Sequence, residues 1–306
     1  MTVVRIKISI LALTLIVIVF GAYVRLTDAG LGCPDWPGCY GKLLTSGTSG
    51  YAEADVYDSG KAWREMIHRY LAGFLGIGIL GLALYSFRQG KGFRSLEFSL
   101  VPLVVLQSVL GMFTVTLLLQ PLVVSTHLMG GLTILSVLWW SLLRDSGFTS
   151  LGTKKAGLLK KLGWFSFMVL VVQIFFGGWT STNYAALACT DFPTCQGTFL
   201  PPMHFREAFT LWRGLGIDYE HGILDSATRT TIHFVHRVWA LVTVVSIACF
   251  LIVSILFGDR RLKLSSLLVF LAMTTQVGLG ISNILFGLPL AVAVAFTRTA
   301  SASPEA

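Results

Sequence analysis

Charge is scarce in this sequence. Only 12% of its 306 residues are Asp, Glu, Lys or Arg, while 54% are hydrophobic; a soluble domain carries about a quarter charged residues. That scarcity excludes a soluble globular chain. Thiols are also few, with 5 cysteines in all, and no further ligands of the kind zinc needs stand near them. The first apolar run is preceded only by Arg5 and Lys7, and no small-residue cleavage site follows it. It therefore reads as a retained membrane helix rather than a removable signal peptide.

What is present is a series of long apolar runs. Ile8–Leu26, Ile67–Phe87, Leu96–Leu119, Leu122–Leu143, Leu162–Thr182, Phe234–Phe257 and Leu264–Phe286 are each long enough as a helix to cross a hydrocarbon core of roughly 30 Å. The net charge of +8 belongs to topology and not to nucleic acid. Basic residues collect in short loops: Arg5 and Lys7, then Arg88, Lys91 and Arg94, then Arg144, Lys154, Lys155, Lys160 and Lys161, then Arg260, Arg261 and Lys263. Only Glu97, Asp145 and Asp259 oppose them there, so this side and the N-terminus are expected in the cytoplasm. The two long loops, about 27–66 and 183–231, are then extracytoplasmic and hold most of the acids.

The chain repeats itself. Phe20-Gly21, Cys33, Asp35-Trp36, Pro37 and Cys39 return at one spacing as Phe176-Gly177, Cys189, Asp191-Phe192, Pro193 and Cys195. Glu65-Met66-Ile67-His68-Arg69 returns as His233-Phe234-Val235-His236-Arg237, and Gln107 and Gly111 return as Gln276 and Gly280. The fold class expected is an all-α integral membrane protein of two pseudo-symmetric four-helix halves in parallel repeat, with seven membrane spans. Residues 1–150 form the N-terminal half, 151–296 the C-terminal half with its fourth helix missing, and 297–306 a polar tail. On an oxidising side, Cys33 with Cys39 and Cys189 with Cys195 favour short disulfides over a zinc site; their role, structural or redox, stays open. Cys249 reads as a small packing residue inside the sixth span.

His68, His127 and His236 stand at or just inside the outer ends of spans, which is costly and marks a functional site. If the second and fourth helices of a half are neighbours, His68 and His127 face each other and hold a haem iron from both sides. A set of interfacial histidines is the plainer alternative. Arg69 and Arg237 read equally as partners of haem propionates and as interfacial anchors. Glu65 lies one turn before His68 on the same face, where the second half has His233. That asymmetry favours acid–base or charge chemistry over an ordinary first-turn carboxylate. His204 and His221 read as solvated loop residues.

Gly30-Leu31-Gly32-Cys33-Pro34-Asp35-Trp36-Pro37-Gly38-Cys39, Glu65 to Ala72, His127-Leu128-Met129-Gly130-Gly131 and Ile232 to Arg237 resemble the haem A synthase family. The resemblance runs from residue 8 to about residue 295. It implies eight membrane helices in two halves, and oxidation of the C8 methyl of haem O to the formyl group of haem A. Oxygen would come from water through successive hydroxylations and loss of water from a gem-diol. It implies that His68 and His127 hold the substrate haem, that Glu65 is catalytic, and that His236 holds a haem b which relays electrons. It further implies a place beside haem O synthase and cytochrome oxidase assembly factors in a bacterial inner membrane, and leaves room for a homo-oligomer. The family pattern has a second haem b histidine shortly after a Leu-Pro-Leu stretch. Here Leu288-Pro289-Leu290 is present and Phe296 takes the histidine's place, and Pro289 to Phe296 covers only about 12 Å of helix. An eighth span is therefore expected to be absent. A non-catalytic haem-binding or electron-transfer membrane protein stands as the alternative reading. A transporter would want polar groups near the midplane of broken helices, which this chain does not offer.

Overall fold

A computed structural model describes residues 2–43, 58–90, 92, 95–145 and 155–287. Leu288-Pro289-Leu290, Phe296 and the polar tail lie outside the described residues. Eight helices follow in order: α1 (Thr2–Leu26), α2 (Ser59–Arg88), α3 (Leu96–Thr116), α4 (Pro121–Asp145), α5 (Ala156–Thr182), the single turn α6 (Phe205–Ala208), α7 (Ser226–Phe257) and α8 (Arg260–Leu285). All except α6 are long and apolar enough to cross a membrane. The protein is therefore an all-α multi-pass membrane protein.

Two helices begin well before their apolar runs. Asp58 caps α2, its carboxylate accepting from the backbone N–H of Gly60 at 2.8 Å and Lys61 at 3.0 Å. Asp225 caps α7 by accepting from Thr228 N–H at 3.1 Å. A capped helix is defined by its backbone bonds and not by hydropathy, so the polar first turns belong to it. His68 and His236 consequently lie roughly two and a half turns inside their helices rather than at the openings.

The described residues divide into two compact units, one made from residues up to 145 with Leu211–Ile223, the other from residues 155–210 and 224–287. In the first, α1 packs on α2 and α4, and α3 packs on α2 and α4, which closes a ring. Its centre holds Ile10, Val17, Leu75, Ile79, Leu100, Ile134 and Leu138. Helices α2 and α4, whose adjacency the sequence left as a condition, are not neighbours; they stand across the ring from each other. Segment Leu211–Ile223 joins this unit through Gln120 Nε2, which donates to the Leu211 carbonyl at 2.9 Å, and Tyr219 N–H, which donates to the Leu118 carbonyl at 3.1 Å. In the second unit α7 packs on α5 and α8, and among the described residues α5 and α8 do not touch.

Polarity is distributed as lipid demands, with apolar side chains outward and polar ones inward. Ile77, Leu241, Val245 and Leu268 are exposed, while Thr14, Ser141, Ser166, Thr243, Ser246 and Ser254 are buried. Lys7 is only 1% exposed. Its ammonium donates to Glu97 at 2.5 Å, Ser141 at 2.6 Å and Asp145 at 2.6 Å, tying α1, α3 and α4 together. Two of the acids found among the basic loops are thus the partners of one buried cation, and the third, Asp259, caps α8. Cys249 is exposed on α7, so it packs against no core and faces the surroundings of the helix, contrary to the sequence reading.

Candidate functional site: a duplicated histidine cradle

The cysteine segments of the two long loops, 33–41 and 189–197, fold alike next to α2 and α7. Disulfides join Cys33 to Cys39, with Cα atoms 4.8 Å apart, and Cys189 to Cys195, at 4.7 Å. Trp36-Pro37 and Phe192-Pro193 are both cis. Asp35 accepts from the N–H groups of Tyr40 at 2.6 Å and Gly41 at 2.8 Å. Asp191 repeats this with Gln196 at 2.6 Å and Gly197 at 3.0 Å. The first disulfide packs on Ala62 and Met66 of α2. Gly32 permits that approach, because a Cβ there would lie 2.6 Å from the Lys61 carbonyl carbon.

Each loop presents a backbone N–H and a set of carbonyls to the helix beside it. Cys33 N–H donates to Glu65 Oε2 at 2.8 Å, and Arg69 donates to Glu65 Oε1. Arg69 also reaches the carbonyls of Asp35 at 2.8 Å and Gly38 at 2.5 Å. In the second unit Cys189 N–H donates to His233 Nδ1 at 3.2 Å, and Arg237 Nε stands 3.1 Å from His233 Nε2. Arg237 reaches the carbonyls of Thr194 at 2.8 Å and Cys189 at 2.9 Å. Arg69 and Arg237 therefore fasten the disulfide loops to their helices. Glu65 and His233, each 4% exposed, occupy equivalent places in two matching cradles, and only the first unit puts a carboxylate there.

The histidines face the interiors of their units. In the first, α2 carries His68 and α4 carries His127, from opposite sides of the ring. The Nδ1 atoms of both are buried and have no hydrogen-bond partner among the described residues. Glycines make the room: a Cβ on Gly21 would sit 2.7 Å from His68 Cε1, and one on Gly111 would sit 3.2 Å from His127 Cε1. Gly177 stands likewise against His236, at 3.4 Å. Two glutamines complete the surroundings. Gln107 Nε2 donates to the His127 carbonyl at 2.6 Å, and Gln173 Nε2 lies 3.3 Å from His236 Nδ1. Gln173 escaped the reading of the sequence, where Gln107 and the seating glycines Gly21, Gly111 and Gly177 were visible only as repeat markers.

This donor set suits a metal that brings its own equatorial ligands. Among the described residues no group of three or more His, Cys, Asp or Glu side chains converges to hold a metal ion. Two imidazoles across a ring of helices, each in a glycine-lined seat, are donors of the type that would hold a metalloporphyrin from its two faces. The remaining histidines stay outside this arrangement. His204 stands 3.6 Å from Asp225, a partner the sequence did not reveal.

Comparison with known proteins agrees in kind. The profile described as cytochrome oxidase assembly protein matches residues 5–302. A protein named heme A synthase from Shewanella oneidensis is 41% identical over 93% of this chain and 88% of its own length. Proteins of the same name from Erythrobacter litoralis and Halalkalibacterium halodurans are 26% and 25% identical, over 94% and 91% of this chain and 89% and 86% of their own lengths. A match over nearly the whole chain, with a relative this similar, places it: the chain belongs to the cytochrome oxidase assembly protein family.

Proposed function

We propose that this chain is a haem A synthase, an oxidoreductase that converts the C8 methyl of haem O to a formyl group with oxygen taken from water. The observation that carries the reading is the repeated cradle, which holds a carboxylate, Glu65, in the first unit and an imidazole, His233, in the second. The first unit is the substrate site, with His68 and His127 as ligands of the haem O iron. The second is the site of a haem b, with His236 as its ligand among the described residues. When bound, that haem b supplies a redox centre able to pass on the electrons the oxidation releases.

The protein's own part is orientation and proton handling. His68 and His127 fix the substrate between α2 and α4. Glu65 sits one turn from His68 on the same face, and Cys33 N–H and Arg69 hold both carboxylate oxygens in place. A carboxylate so fixed stabilises the electron-poor carbon formed as the methyl is oxidised, and it accepts the proton of the attacking water. The long loops with their disulfides face the extracytoplasmic side of a bacterial inner membrane, and the N-terminus lies in the cytoplasm. The enzyme takes its substrate from a haem O synthase and serves the assembly of cytochrome oxidase. Supplying haem O to membranes containing the protein, then separating the extracted haems by chromatography, is the test. Appearance of haem A is the expected result. Haem binding without conversion would overturn the reading and leave an electron-transfer protein in its place.

A further inference from the structure

Each histidine seat is built from a glycine on a neighbouring helix, and what stands one turn before that glycine differs between them. Helix α3 carries Gln107 before Gly111, α5 carries Gln173 before Gly177, and α8 repeats the pattern as Gln276 and Gly280. Helix α1, whose Gly21 seats His68, carries Val17 instead. The described glutamines engage their histidines: Gln107 bonds the His127 carbonyl, and Gln173 meets the ring nitrogen of His236. Val17 lies in the apolar centre of its unit, and His68 Nδ1 has no partner among the described residues. Val17 is the counterpart of Gln173 in the repeat that equates Gly21 with Gly177.

A hydrogen bond to the second ring nitrogen of a ligating histidine fixes the ring's orientation and strengthens its hold on the metal. The Gln173 amide suits that role in either sense, since a half-turn of the amide brings its Oε1, buried and without a partner among the described residues, to accept from a protonated Nδ1. Among the described residues His68 receives no such support, and neither does the ring of His127, whose glutamine reaches only the backbone carbonyl. We infer that Val17, where the second unit has Gln173, leaves the first unit an exchanging site through which substrate and product tetrapyrroles pass, while Gln173 makes His236 a retaining ligand of the second. The inference rests on the proposed roles of His68 and His236 as haem ligands. It names Val17 and Gln173 as positioning residues that divide an exchanging site from a permanent one.

The test is the rate at which ferric haem b, used as the probe, passes from the purified full-length protein to an excess of apomyoglobin. First-unit release is read in a His236→Ala background, second-unit release in a His68→Ala background. Val17→Gln is expected to slow first-unit release about tenfold, and Gln173→Val to speed second-unit release about tenfold. Val17→Leu should release as the parent does, and Gln173→Glu, which still accepts from Nδ1, should restore slow release. Val17→Gln and Val17→Leu releasing alike, with low-spin spectra intact, would overturn the inference. If Val17→Gln does not fold, parental release from Gln173→Val overturns it equally. The reading beneath it fails separately. A first-unit low-spin spectrum that survives His68→Ala would remove His68 as a ligand and the inference with it. A spectrum lost in His68→Ala, together with unchanged rates in the Val17 and Gln173 variants, would overturn the inference alone.

Discussion

Glu65 has its two oxygens committed to two different parts of the chain, Cys33 N–H from the loop and Arg69 from its own helix. Glu65→Gln keeps the shape of the side chain and removes its charge. The substitution is expected to leave haem binding intact and to lower haem A formation by ~100-fold or more, the usual scale for loss of a positioned proton-transfer group. Undiminished haem A in extracts of the variant would falsify the catalytic role. Asp191 makes a second prediction at this scale. The Thr194 hydroxyl foremost, then the N–H groups of Gly197 and Gln196, bond its carboxylate and lower its pKa from 3.8 to about 2. A carboxylate whose pKa is lowered on folding adds stability at pH values above its unfolded value and loses it as pH falls through the folded one. The 189–195 loop should therefore hold at neutral pH and loosen between pH 3.8 and about 2. Amide exchange at Gln196 and Gly197 reads this, and Asp191→Asn should bring the loosened state to neutral pH.

Between residue and molecule stand the disulfide loops, which act as units with the helices they cap. Each couples its Cys–Cys closure, its Asp turn and its Arg anchor to one side chain in the cradle, so a change in the loop is felt at Glu65. Peptide mapping without reduction is expected to recover Cys33 linked to Cys39 and Cys189 linked to Cys195, with Cys249 free. Free thiols at all four loop positions would contradict both bridges. Replacing Cys33 and Cys39 together by Ser should cost haem A formation more than it costs haem binding, because the N–H that holds Glu65 belongs to that loop while the histidines belong to α2 and α4. Equal losses in both measurements would detach the loop from the catalytic carboxylate.

At the scale of the molecule, the first unit is a closed ring locked by a buried charge cluster at the end of α1. Lys7 pairs with both Glu97 and Asp145 there. Lys7→Met keeps the length of the side chain but leaves a buried carboxylate without its cation, a change that costs about 3–5 kcal/mol. The variant should melt at a lower temperature in detergent and lose binding at the first unit. Lys7→Met together with Glu97→Gln should recover part of that loss, because the uncompensated charge is then gone. A single variant as stable as the parent would show that the cluster does not hold the ring.

Periodicity, hydropathy and repetition settled the larger architecture from the sequence alone. A segment of some twenty apolar residues with its backbone bonded internally has one stable state in lipid, the helix, so the spans were legible without coordinates. Repeats are legible because equal local chemistry folds equally, as the matching turns around Asp35 and Asp191 show. Glu65 and the histidines were visible as polar groups where lipid makes polarity costly. Other features required the fold. Asp58 and Asp225 extend their helices through polar turns that hydropathy ignores, which carries His68 and His236 deeper. The diagonal placement of α2 and α4 and the partners of Lys7 depend on which helices become neighbours. So do the glycine seats and the difference between Val17 and Gln173. Those are contacts between residues far apart in the chain, and only the packing of the helices against one another brings them together.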